Sequence, residues 1–109
     1  MFYSASLFYR GVARRRHEDE HLWEDRIVLI EASSDGDALA KAKEIGKRGE
    51  HDYVSATDDH ISWLFVGVER VFEIGDAVSP GGELFSRFLR ASEAKSLLTP
   101  FGDQAQSDV

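Results

Sequence analysis

Cysteine is absent from the 109-residue sequence, and methionine occurs once. A chain without thiols has no disulfide framework, no thiol nucleophile and no cysteine-based zinc or iron–sulfur site. No apolar run approaches the ~20 residues of a bilayer span, which predicts no membrane integration. The first residues, MFYSASLFYRG, lack the Lys/Arg-then-apolar order of a secretory signal, so a cytoplasmic protein is expected. Positive charge is scarce: 13 Lys and Arg face 20 Asp and Glu, for a net charge of −7 and a pI near 5.0. A nucleic-acid binder carries the opposite balance, so that class is disfavoured. What is present is a globular composition, with 42% hydrophobic, 11% aromatic and 30% charged residues. The length fits one domain over residues 1–100, followed by a polar tail, 101–109, expected to be disordered.

The segment order is readable from periodicity. From Phe2 to Ala13, Tyr3, Ala5, Leu7, Tyr9, Gly11 and Ala13 fall on one face of a strand by period-two alternation. Arg14 to His21 (RRRHEDEH) has no apolar residue and reads as a solvated connection. The next strand, Trp23 to Ala32, contains Ile27-Val28-Leu29-Ile30, and four apolar residues in a row predict burial on both faces, hence a central strand. Two strands joined by a short polar stretch form an antiparallel hairpin. Ser34 then opens a helix as N-cap, with Asp37 in the position of a capping-box acid and Ala38, Leu39, Ala42 and Ile45 as its apolar stripe.

After Gly49, His51 to Ala56 is a short strand and Thr57 to His60 a turn. Ile61 to Ile74 is the strongest strand signal: Ile61, Trp63, Phe65 and Val71 point one way, and Leu64, Val66, Val68, Phe72 and Ile74 the other. Gly67 in its middle marks a bulge or a close backbone approach. Glu83 to Arg90 fits a helical face and an edge strand equally well; Ala91 to Leu98 favours a helix. The expected fold is α+β, an antiparallel sheet of four to five strands in the order β-β-α-β-β, then a strand or helix, with one main helix on one face.

Four short pieces carry a family resemblance. They are the aromatic start (Phe2, Tyr3, Ala5), the strand running into Glu31-Ala32, and the helix with Asp37-Ala38 and Ala42-Lys43. The last is Trp63 with Phe65-Val66-Gly67-Val68, leading to Gly82-Glu83-Leu84-Phe85-Ser86-Arg87. In this order, over roughly residues 2 to 90, the chain resembles a bacterial family catalogued as domain of unknown function 4288. The resemblance implies that Glu83 to Arg90 lies in a strand; it brings no activity and no catalytic motif.

Two clusters have the residue types of chemistry. His17 and His21 stand four residues apart with Glu18, Asp19 and Glu20 between them, a spacing that lets one helical turn chelate a divalent metal. Yet every neighbour is charged and the segment reads as a loop, so a solvated connection balancing Arg14, Arg15 and Arg16 is the simpler reading. His51-Asp52 and Asp58-Asp59-His60 flank the second turn, where two His–Asp pairs meeting at one sheet end would make an acid/base site. No nucleophile is evident there, and aspartates are common in turns for backbone reasons. Phosphate-binding glycine loops are missing, and nothing calls for a cofactor.

The aromatic residues say more. Trp23, Trp63, Phe65, Phe72, Phe85 and Phe88 exceed what one helix covers, so either Ala91 to Leu98 closes the second sheet face or a partner does. These features favour a non-enzymatic interaction protein, such as an inhibitor or immunity protein for a basic partner. Glu18, Asp19, Glu20, Glu24 and Asp25 would steer the encounter, and Trp23 and Trp63 would anchor it. The alternatives are a metal-binding or hydrolytic protein using His17/His21 or His51/His60, and a homodimeric structural module.

Overall fold

The strand written in the alternation of Tyr3, Ala5, Leu7 and Tyr9 is β1 (Phe2–Ala13), and it lies at the centre of the sheet. The computed structural model describes residues 1–15 and 22–99. Its further elements are β2 (Trp23–Glu31), α1 (Asp35–Arg48), β3 (His51–Val54), β4 (His60–Gly75) and α2 (Ala91–Leu98). The four strands form one curled antiparallel sheet in the order β2-β1-β4-β3. The fold is therefore α+β, as the segment order predicts. The expected tail at 101–109 lies outside the described residues.

α1 carries the chain from β2 on one edge to β3 on the other, across one sheet face. Its start follows the capping reading: Ser34 Oγ accepts from the Asp37 N–H at 3.1 Å, while Asp37 Oδ2 reaches back to the Ser33 N–H at 3.0 Å. Asp35 and Asp37 sit at its positive end and Lys47 and Arg48 at its negative end, in accord with the helix dipole. The buried stripe is Ala38, Ala42 and Gly46, with Ile45 half-buried and Leu39 exposed. Small residues let the helix axis approach the sheet closely. At Gly46 a Cβ would stand only 2.3 Å from the Phe65 ring. The core between helix and sheet is Tyr3, Ala5, Leu7, Tyr9, Ile30, Ala32, Ala38 and Ala42, edged by Val28, Ile45, Trp63, Phe65, Val68 and Val71.

Three expectations are corrected. β2 is an edge strand, not a central one: Ile30 is buried, but Ile27 and Leu29 are 46% and 54% exposed. The long β4 takes the central place because it pairs with β1 along nearly its whole length. Val68 joins Trp63 and Phe65 on the helix side, because register shifts facing Phe8/Tyr9 and Ser6/Leu7 add residues to β4 and reverse strict alternation. Gly67 stands at the first of these shifts, opposite Phe8. Third, residues 82–90 form neither strand nor helix. That segment crosses the face of the sheet, where backbone groups meet side chains and not a strand edge. Among the described residues no helix is long and apolar enough to cross a membrane.

Candidate functional site

At one end of the sheet the start of β2, the start of β3 and the first half of β4 meet on the helix side. They enclose a cleft of about 560 Å³ lined by Leu22, Trp23, Glu24, Arg26, His51 and Trp63. Register explains the meeting. Trp63 pairs with Gly11 of β1 on one side and His51 of β3 on the other, and the Gly11 N–H donates to the Leu22 carbonyl at 2.8 Å. Trp63 lies over Gly11 so closely that a Cβ there would stand 2.9 Å from Trp63 Cη2.

The floor of the cleft is polar but internally matched. Arg26 lies over the Tyr9 ring, 4.3 Å from its centroid, and its Nη2 pairs with Glu24 Oε1 at 2.9 Å. The Tyr9 hydroxyl donates to the Gly46 carbonyl at 2.9 Å. Burial raises the Tyr9 pKa; the Arg26 charge opposes the rise, and Glu24 and Glu50 add to it. His51 Nδ1 donates to the Gly49 carbonyl at 3.0 Å, and its ring stacks near Tyr53. Glu50 turns inward, where Oε2 accepts from the Phe65 N–H at 2.9 Å. The Arg26 charge is thus already engaged by a carboxylate and an aromatic face. What the cleft offers a ligand is the Trp63 indole beside a carboxylate edge, with Trp23 at its rim, since pairing with Arg10 places Trp23 on the sheet face of Asp25.

The residues singled out from the sequence are only partly brought together. Trp23, Glu24 and Trp63 line this one cleft. Asp25 points to the opposite sheet face, where it accepts a hydrogen bond from the buried Ser6 Oγ. Glu18, Asp19 and Glu20, and the proposed metal ligands His17 and His21, lie outside the described residues. His51 and His60 occupy opposite ends of the β3–β4 ladder, facing Trp63 and Val54 respectively. That spacing along a strand is about 10 Å, too far for one acid/base site. His60 Nε2 pairs instead with Asp52 Oδ2 at 2.9 Å. Asp59 is buried, and among the described residues its Oδ1 has no hydrogen-bond partner. No group of three or more His, Asp or Glu among the described residues is placed to hold a metal ion.

Sequence reasoning missed Arg26 and Tyr9. Their signal is the hairpin itself, whose pairing sets Leu7 against Arg26 and Tyr9 against Glu24 on the helix side.

The other sheet face is dressed by a strap, residues 84–87. Ser4 Oγ donates to the Leu84 carbonyl, Phe85 meets Phe72 with centroids 6.1 Å apart, and Arg70 Nη1 donates to the Ser86 carbonyl at 3.0 Å. Arg87 reaches Glu69 at 3.9 Å. Beyond the strap the chain leaves the sheet, and α2 has no buried residue.

The family model described as domain of unknown function (DUF4288) matches residues 2–86. The chain belongs to that family. The DUF4288 match takes in the whole sheet, α1 and most of the strap, and ends at Ser86, ahead of Phe88 and α2. No curated protein matches the chain, and no solved structure matches it.

Proposed function

We propose that this DUF4288 domain is a non-enzymatic protein–protein interaction module whose cleft takes a basic side chain of a protein partner. The observation that supports it is the meeting of Trp63 and Glu24 in one cleft, with Trp23 at its rim and 55% exposed. An exposed tryptophan beside a half-open pocket has the character of an interface anchor. An indole face and a carboxylate attract a guanidinium or ammonium. The net charge of −7 speeds encounter with a cationic protein, as an inhibitor or immunity protein would require. Within this proposal Glu18, Asp19 and Glu20 steer, and Trp23, Trp63 and Glu24 hold.

The test is affinity capture from native lysate with the parent chain, Trp23→Ala, and a charge reversal of Glu18, Asp19 and Glu20. The proposal expects one stoichiometric basic protein, released as salt rises, weakened by the charge reversal and lost with Trp23→Ala. It fails if both variants retain every captured protein at the parent's level.

A further inference from the structure

On the face turned away from α1, the strap stops short of a set of apolar side chains. Ile27 and Leu29 of β2 are exposed there, with Leu64 and the bulged Val66 of β4. The run Ile27-Val28-Leu29-Ile30 is the composition of a strand covered on both sides, and one chain covers only one of them.

The same chain carries an uncovered apolar arm. Phe88, the first residue past the strap, is 104% exposed, and Leu97 and Leu98 are exposed too. In α2, Ala91, Ala94, Leu97 and Leu98 share one side, while Ser92, Glu93, Lys95 and Ser96 share the other. The helix start is secured by Glu93, whose Oε1 accepts from the Arg90 N–H at 2.8 Å. Yet α2 has 8 residues, and isolated helices below about 12–15 are marginal in water, so its stripe needs an apolar surface to lie on.

We propose that the two surfaces cover each other across two copies of this chain. In this two-fold dimer, Phe88 and the Leu97/Leu98 side of α2 from one copy dock on the Ile27–Leu29–Leu64 face of the other. Charge selects this arrangement. The arm past the strap holds Arg90 and Lys95 against Glu93, while the whole chain is at −7. The arm is thus a weakly cationic piece of an acidic molecule, and it meets the acidic body of its neighbour, where two bare bodies would repel. Each copy gives one arm and receives one, so every contact is made twice in a closed pair. The dimer uses the face opposite the cleft, with Trp23 at its margin, and leaves Trp63 and Glu24 open to another protein.

Sedimentation equilibrium across a concentration series tests the proposal with three full-length proteins: the parent, an arm variant (Phe88→Asp with Leu98→Asp) and a face variant (Ile27→Lys with Leu29→Lys). Circular dichroism on each verifies folding. The parent is expected at twice its 12.2 kDa mass. Each variant alone dissociates at least about tenfold more readily. An equimolar mixture of the two, differently tagged, co-purifies, because the intact arm of one still fits the intact face of the other. A parent that stays monomeric overturns the dimer, as does an arm variant that dimerises like the parent. If α2 folds back on its own sheet, the parent is a monomer that the arm variant destabilises. Loss of the dimer leaves the cleft proposal standing, since Glu24 lies on the helix side and only the cleft proposal responds to Glu24→Gln.

Discussion

The Tyr9 hydroxyl, on the central strand, donates to the Gly46 carbonyl at 2.9 Å, in the last turn of α1. The contact joins sheet to helix beside the cleft, whose lining residue Arg26 lies over the same Tyr9 ring. Phe65 fills the space beside Gly46, its ring 5.6 Å from that of Tyr9.

Removing either partner should loosen that joint. Tyr9→Phe deletes a buried hydrogen bond and should cost about 1 kcal/mol. Gly46→Ala gains helix propensity but drives a methyl group into Phe65, and overpacking of this kind costs roughly 1–3 kcal/mol. Urea unfolding should show both variants destabilised. Phe65→Leu should recover part of the loss in Gly46→Ala and none of the loss in Tyr9→Phe.

The start of α1 gives an acid-side prediction. The Ser33 N–H, with Lys41 beside it, holds the Asp37 carboxyl below its usual range. A lowered folded-state pKa means that the unfolded chain binds the proton more readily, so this contribution is present above the usual carboxylate pKa and is lost as pH falls through the folded value. Melting temperatures of the parent and Asp37→Asn should differ at neutral pH and converge in strong acid. Ser34→Ala should cost about 1 kcal/mol with no such convergence.

The alkaline side is governed by Tyr3 and Tyr9, both raised above the usual tyrosine value. Burial is the leading cause for each, with the neighbouring Asp35 next for Tyr3. Here the folded chain holds the proton more tightly than the unfolded one. Stability is therefore undiminished below pH about 10 and falls as pH rises beyond it. Phenolate absorbance and circular dichroism followed together should show part of the tyrosine ionisation coinciding with unfolding. Tyr3→Phe should move that unfolding to higher pH.

Much of this fold is legible in the sequence, and the exceptions share a cause. Alternation in β1 and the Ser34 cap are local signals, and each element forms where they place it. Ile27 and Leu29 mislead because hydrophobic runs report burial without saying by what, and their strand ends at the sheet edge. Val68 changes face because a bulge depends on the partner strand. Of the site, Trp23, Glu24 and Trp63 are visible as residue types, but their meeting depends on the register of four strands. His51 and His60 look paired in the sequence, and the β3–β4 ladder holds them apart.

Central to the account is that the apolar side chains of the second sheet face serve contacts between molecules and not the stability of one. The direct measurement is urea unfolding of Ile27→Thr/Leu29→Thr, which keeps strand-compatible residues, at a concentration where the parent is monomeric. The account predicts a stability within about 0.5 kcal/mol of the parent, as for surface substitutions. A loss of about 2 kcal/mol or more, the range of core truncations, would place these side chains inside the folded monomer and contradict it.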